Sequence, residues 1–214
     1  MKDQENRPYR SRWEAYPFLP EAAEDLRCDY EIASDRLAGS LGWLAALLRR
    51  CLVGRQPLTV AVEPGTAAAC QWLAAAPADL ETLSELCYHA NAGLRTPCRL
   101  TEEEIAWLDE ITLAAENILG ERQKQFVVTV GHEAATAAHI VRCDTKQVLR
   151  LLYRAHHAGS TVDPRLIDFF SRLAAYIFAL SLLVNLSFGV PERRFVSRNY
   201  PQTEADSRRD VPSS

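Results

Sequence analysis

The stretch from Asp163 to Leu186 constrains this chain more than any other. Asp163-Pro164 places a side chain that can cap a helix before the residue that best suits a first helical turn. Leu166 to Leu186 then follows, apolar nearly all round. A helix that is apolar on every side must be covered on every side. Its densest part, Leu173 to Val184, falls short of the ~18 residues a membrane span requires. The expected cover is therefore other helices, and no membrane partner is predicted. The fold class is all-α, with this helix central and most buried.

The remaining sequence supplies the covering helices. Ile32, Leu37, Leu41, Leu44 and Leu48 recur at helical spacing and predict a helix from about Asp29 to Cys51. Residues 54–66, with Gly54, Pro57, Pro64 and Gly65, read as a loop. A second helical region reaches Ala92, with a break near Pro77 and Asp79 as the cap of its second part. Thr101 to Glu104 is a capping box, followed by Ile105, Leu108, Ile111, Ala115 and Ile118 and closed by Gly120. A short extended piece, Gln125 to Val130, leads to Gly131, which opens a long Ala-rich helix reaching about His157. There is no strand pattern, internal repeat or sustained heptad. Five or so helices with short connections make a bundle. The expected organisation is an irregular arm over 1–26, the bundle over 27–190 and a disordered polar tail over 191–214.

Composition narrows the function classes. A net charge of −4 argues against general nucleic-acid binding, which requires a basic excess. The six cysteines form no CxxC pair, and several lie in apolar helical runs, where a thiol acts as a small hydrophobe. They read as reduced and structural. The first residues, MKDQENRPYRSRW, lack the apolar core of a signal peptide, so the cytoplasm is the expected compartment. His156-His157 and Cys87-x-His89 are candidate metal ligands, but adjacent helical histidines point about 100° apart and suit one metal poorly; no metal site is predicted. Trp13, Trp43, Trp72 and Trp107 read as core or interface anchors.

The long helix carries Arg142, Lys146 and Arg150 at steps of four, so the three cations share one face. Like charges at this spacing cost a few tenths of a kcal/mol per pair. Solvent, an acidic partner or a bound polyanion could offset that. Ala134, Ala135, Ala137 and Ala138, just before the stripe, permit close helix packing. Asp35 sits in the otherwise apolar first helix, where an unpaired charge would be expensive, and Arg142 is a partner that would relieve it.

These residues resemble a family. The stretch Phe126-Val-Val-Thr-Val-Gly131-His-Glu-Ala-Ala-Thr-Ala-Ala-His139-Ile-Val-Arg142-Cys-Asp-Thr-Lys146-Gln147-Val-Leu149-Arg150 aligns without a gap to a segment of the PduO-type ATP:cob(I)alamin adenosyltransferases. The acidic helix start at Thr101–Leu108, the run Phe170 to Phe178 and the run Asp35 to Gly42 echo other parts of that family in the same order. The resemblance covers about residues 27–187. It implies a five-helix, ferritin-like bundle that forms a homotrimer with its site between subunits. It implies cobalamin and ATP as ligands, with Mg2+ accompanying ATP in an active enzyme. Phe126 matches the aromatic that displaces the lower axial ligand, and Arg142 the arginine that pairs with the first-helix aspartate, here Asp35, across the subunit boundary. Lys146 takes the place of a polyphosphate-binding arginine. Arg150 and Ser171 complete the implied ligand-binding set, Ser171 standing where the family has asparagine.

The departures fall mainly on the ATP side. No counterpart of the family's N-terminal ATP loop is present, and residues 1–26 contain no glycine, so no nest of backbone N–H groups forms there. Gln147 replaces a second arginine, Leu149 a glutamate, Ala38 an asparagine, Ala175 an aspartate, and Thr129-Val130 a Pro-Gly pair. Lys146 keeps the charge but not the bidentate fork. Beside a working adenosyltransferase, two alternatives stand: a non-catalytic trimer that binds a corrinoid or another ligand as a carrier or sensor, and a helical scaffold without a ligand.

Overall fold

The computed structural model describes residues 9–14, 22–53 and 63–199. Six α-helices occur among them: α1 (Leu26–Val53), α2 (Thr66–Leu73), α3 (Ala76–Asn91), α4 (Glu102–Leu119), α5 (Glu133–His157) and α6 (Pro164–Ser187). A 3-10 turn, Gly120–Lys124, follows α4. The described residues form no strand; one isolated bridge joins Val127 to Arg194. The all-α expectation holds. The second helical region counts as two helices, which makes six of the expected five.

α6 packs against α2, α4 and α5, while α1 packs against α3 and α5. Every residue from Ala179 to Ser187 is buried, among them the polar Ser181, Asn185 and Ser187. Length and composition alone would let α6 cross a membrane, but 67% of its most apolar window is buried inside the bundle. Its start is fixed locally: the Asp163 carboxylate accepts the Arg165 N–H at 3.0 Å, and Pro164 takes the first turn. α4 begins with the predicted capping box. The Glu104 N–H donates to the Thr101 hydroxyl (3.2 Å), and the Thr101 N–H donates to the Glu104 carboxylate (2.8 Å).

Some sequence expectations shift. The break in the second region falls at Ala74-Ala75, and Pro77 lies inside the first turn of α3, where a missing N–H costs nothing. Asp79 therefore sits within α3, and Ala75 is its N-cap. Ile32 departs from the buried stripe of α1 and is exposed. His132, not Gly131, caps α5: its Nδ1 accepts the Ala134 N–H at 3.2 Å. All six cysteines are free thiols, with Cys28, Cys87 and Cys98 buried and Cys143 exposed. Trp72 packs on Tyr176 with ring centroids 5.5 Å apart, whereas Trp13 and Trp43 face outward. Most of the N-terminal arm lies outside the described residues.

Ala134, Ala135, Ala137 and Ala138 are all buried, and these small side chains bring α5 close to α1 and α6. Polar pairs pin α5 to α1. Asp144 accepts from the Ser40 hydroxyl at 3.0 Å and meets Arg36 at 3.2 Å. At the other end, Glu133 accepts the Cys51 thiol at 3.2 Å and lies 3.6 Å from Arg50.

Candidate functional site

The segment between α4 and α5 holds Phe126 outward. Phe126 is 73% exposed, although a lone aromatic ring gains by burial. The chain after α6 folds back beside it: the Val128 N–H donates to the Arg193 carbonyl (2.8 Å), and the Phe195 N–H donates to the Phe126 carbonyl (2.7 Å). The Phe126 and Phe195 rings lie 5.3 Å apart, and Val130 and Val196 are exposed nearby in the chain. An apolar, ring-bearing surface therefore stands at the head of α5.

A buried polar knot positions that surface. The Asn185 side chain on α6 accepts the His132 N–H at 2.9 Å and donates to the Glu192 carboxylate at 2.9 Å. One amide thus ties the start of α5 to the segment leaving α6. Gly131 permits the approach: it has φ +137°, and a Cβ there would meet Asn185 Oδ1 at 2.5 Å. The His132 ring stacks on Phe188 at 4.0 Å. Burial lowers the His132 pKa below the ordinary histidine value, against a weaker opposing pull from Glu133. Burial raises the Glu192 pKa, with Asn185 and Arg122 opposing it.

The cationic stripe is real and largely open. Lys146 and Arg150 are exposed, and Arg142 is half-buried with its guanidinium 4.8 Å from the centre of the Phe178 ring. Among the described residues none of the three forms an ion pair. Asp144, two residues beyond Arg142, faces α1 and leaves the stripe unneutralised. His139 lies one turn before Arg142, buried against the same Phe178 ring.

The other predicted site residues lie elsewhere on the chain. Asp35 is exposed on α1, so the expected burial penalty does not arise; it accepts a hydrogen bond from Tyr88 of α3, which raises the tyrosine pKa. No ion pair joins Asp35 to Arg142 among the described residues. Ser171 is exposed in a groove of about 580 Å³ between α4 and α6, beside Ala175 and the Arg172–Asp109 ion pair. The structure thus gathers Arg142, Lys146 and Arg150 on one helix face, with Phe126 just before the start of that helix, and no ion pair joins Asp35 to them among the described residues. A second cavity, about 820 Å³, lies between the 3-10 turn, α6 and the residues after it, with Leu182, Leu186, Arg122 and Glu192 in its wall. No three histidine, cysteine, aspartate or glutamate side chains converge as a metal site among the described residues.

His139, Phe178, Asn185, Glu192 and Phe195 were not singled out from sequence as site residues. His139 and Phe178 lay inside the aligned motifs, where their presence was the available signal. Asn185 offered one too, as a polar residue inside an otherwise apolar helix.

Comparison with known proteins supplies context for this arrangement. The cobalamin adenosyltransferase family profile matches residues 32–184. Three solved structures of PduO-type ATP:corrinoid adenosyltransferase variants from Lactobacillus reuteri are similar in fold. An arginine-to-lysine variant complexed with ATP is 19% identical, covers 80% of this chain and 88% of its own, and has a TM-score of 0.59. A phenylalanine-to-histidine variant complexed with cobalamin and ATP is 16% identical over 87% and 97%, with a TM-score of 0.58. A phenylalanine-to-alanine variant with the same two ligands is 17% identical over 81% and 87%, with a TM-score of 0.56. A search of curated proteins found no match.

Proposed function

Because the chain belongs to the cobalamin adenosyltransferase family, we propose that it is an ATP:corrinoid adenosyltransferase acting in a cleft between subunits of a homotrimer. The observation that carries this reading is the exposed Phe126 at the head of a helix whose Arg142–Lys146–Arg150 face is open. One part offers an apolar plate to a flat macrocycle; the other offers positive charge to a polyphosphate. A single site that takes a corrinoid and ATP needs both.

The chemistry asks little covalent work of the protein. Cobalt in cob(I)alamin is the nucleophile; a cobalt–carbon bond forms as the carbon–oxygen bond to the triphosphate breaks, and the triphosphate leaves with the electron pair. The chain contributes position and electrostatics. Phe126 covers the lower face of the corrin and keeps water and the axial base from the cobalt. Lys146 and Arg150 stabilise the charge gathering on the leaving triphosphate. Arg142, anchored on Phe178, pairs with Asp35 of a neighbouring subunit, which accounts for why both are free of each other within one chain. Ser171 lines the ligand cleft. Mg2+ would accompany the nucleotide and screen the charge of its phosphates.

The relatives support two of these assignments. The phenylalanine and the arginine substituted in the three solved variants stand twenty positions apart, the separation of Phe126 and Lys146. The arginine-to-lysine relative is complexed with ATP. A lysine is what this chain carries at Lys146, so a point charge there is compatible with nucleotide binding.

The test is direct. The purified protein, ATP and chemically reduced cobalamin are mixed, and adenosylcobalamin is followed by absorbance. Product above a protein-free blank supports the reading; no product at any ATP concentration defeats it. A second reading, a corrinoid-binding carrier or sensor, is favoured by one observation: residues 1–26 offer no glycine to cradle phosphates. It predicts corrinoid binding that is indifferent to ATP.

A further inference from the structure

Arg142 and His139 present complementary unmet needs at one place. Arg142 Nε is buried with no hydrogen-bond partner. His139 is only 5% exposed, and both of its ring nitrogens are buried without a partner. The two residues are one turn apart on α5, where side chains meet. Both lie against Phe178: the guanidinium carbon at 4.8 Å from the ring centre, the imidazole at 6.2 Å between centroids.

The chemistry of the two groups decides how they can relate. Arginine Nε only donates, while a neutral imidazole carries one nitrogen that accepts. Left apart, each buried group has given up its hydration with nothing in return. His139 is kept neutral, first by burial and second by the positive charge of Arg142. Along α5 the ring faces Arg142, and from α6 it faces the uncharged Phe178; no other charged group shifts it among the described residues.

We propose that His139 is a positioning residue, whose unprotonated ring nitrogen receives the Arg142 Nε–H and so turns the two terminal guanidinium nitrogens outward. The consequence for the site rests on Arg142 being its arginine, as read above. Phe178 then restrains the face of the guanidinium and His139 its inner edge. What remains is the end of the fork, the part that grips a carboxylate or phosphate through two parallel hydrogen bonds. A flexible arginine would have to be ordered on each encounter; this one is ordered beforehand.

The test has a structural arm and a binding arm. Nitrogen-edited NMR of the full-length protein should show one arginine Nε–H that is shielded from exchange and shifted, assigned to Arg142 by its loss in R142K. H139L, which keeps volume without an acceptor, should lose that signature. H139N and H139Q place an amide oxygen near one or other ring nitrogen, and one of them should retain it. In the binding arm, cob(II)alamin is titrated in the presence of ATP. H139L should bind about tenfold more weakly or worse, and the retaining amide variant within about threefold of wild type.

A pH series separates positioning from simple packing. As pH falls through the lowered pKa of His139, protonation removes the acceptor and sets a second positive charge beside Arg142, so wild-type binding should weaken. The amide variant, which cannot protonate, should lack that acid limb. An H139L protein that keeps the Nε–H signature overturns the proposal, as does wild-type affinity in H139L across the pH series. If H139L does not fold, the amide variants decide: loss of the signature in both, or an unchanged acid limb, overturns it. If R142A instead binds corrinoid and ATP like wild type, Arg142 is not the site's arginine, while the NMR arm still reports on its partnership with His139.

Discussion

Asn185→Leu removes the knot beneath Phe126 without changing side-chain bulk much. Asn185 is fully buried, accepts the His132 N–H and donates to Glu192, each at 2.9 Å. The leucine leaves a backbone donor and a carboxyl oxygen without partners. Each stranded buried group costs about 1–3 kcal/mol. Both partners are partly accessible and can recover some hydration, which brings the sum to about 2–3 kcal/mol. For a chain of this length each kcal/mol lowers the melting temperature by about 2–4 °C, so the expected fall is roughly 5–10 °C. The loss should also be local. The His132 amide should exchange with deuterium faster in N185L, because the segment leaving α6 no longer pins it. Thermal unfolding followed by circular dichroism, with hydrogen exchange read by mass spectrometry, measures both. A melting temperature within about 1 °C of wild type, with unchanged exchange at residues 126–132, would refute the claim that Asn185 organises this end of α5.

Gly131→Ala should destabilise by about 1–3 kcal/mol, since φ +137° disfavours a side chain and Asn185 occupies its space; urea unfolding would show this as a lower midpoint with the slope unchanged. Phe126→Ala should leave the fold intact, because the ring is exposed, but lower adenosyl transfer at least about tenfold while corrinoid and ATP still bind, an outcome read by absorbance kinetics. The folded-state pKa of His132 is depressed, so the histidine contributes stability that is present above the ordinary value of about 6.5 and is lost as pH falls through the depressed one. The stability difference between wild type and H132Q should therefore shrink as pH falls below about 6.5, and a constant difference would contradict the assignment.

The fold was legible where its signals are local. Asp163-Pro164 and the Thr101–Glu104 box start their helices within a few residues, and both were visible as sequence. Pro77 misled for a definable reason. A proline marks the interior of no helix but fits a first turn, so the break lay before it rather than at it. Ile32 fitted the period of α1 yet faces outward, because periodicity gives the spacing of a stripe and not where burial ends. The return of residues 193–195 alongside 126–128 could not be read at all: it is made of backbone hydrogen bonds, which leave no mark in side-chain pattern.

The site was legible in its charges and not in its supports. Arg142, Lys146 and Arg150 follow from helical arithmetic. Asn185 and Glu192 act through contacts with residues 132 and 185, and only the folded backbone brings these together. His139 stood in the aligned motif, but its two unpartnered nitrogens depend on the packing of α5 against α6. Asp35 seemed to need an internal partner, but it is exposed beside Tyr88, so no burial penalty demands one.

If one site joins the apolar plate of Phe126 to the cationic face of α5, ATP and corrinoid must act on it together. Titrating cob(II)alamin into the protein with and without ATP tests it most directly, by absorbance and electron paramagnetic resonance. Wild type with ATP should produce the signature of four-coordinate cob(II)alamin, and neither F126A nor the ATP-free protein should do so to the same extent. A cob(II)alamin spectrum identical to that in buffer, at every ATP concentration, would contradict it.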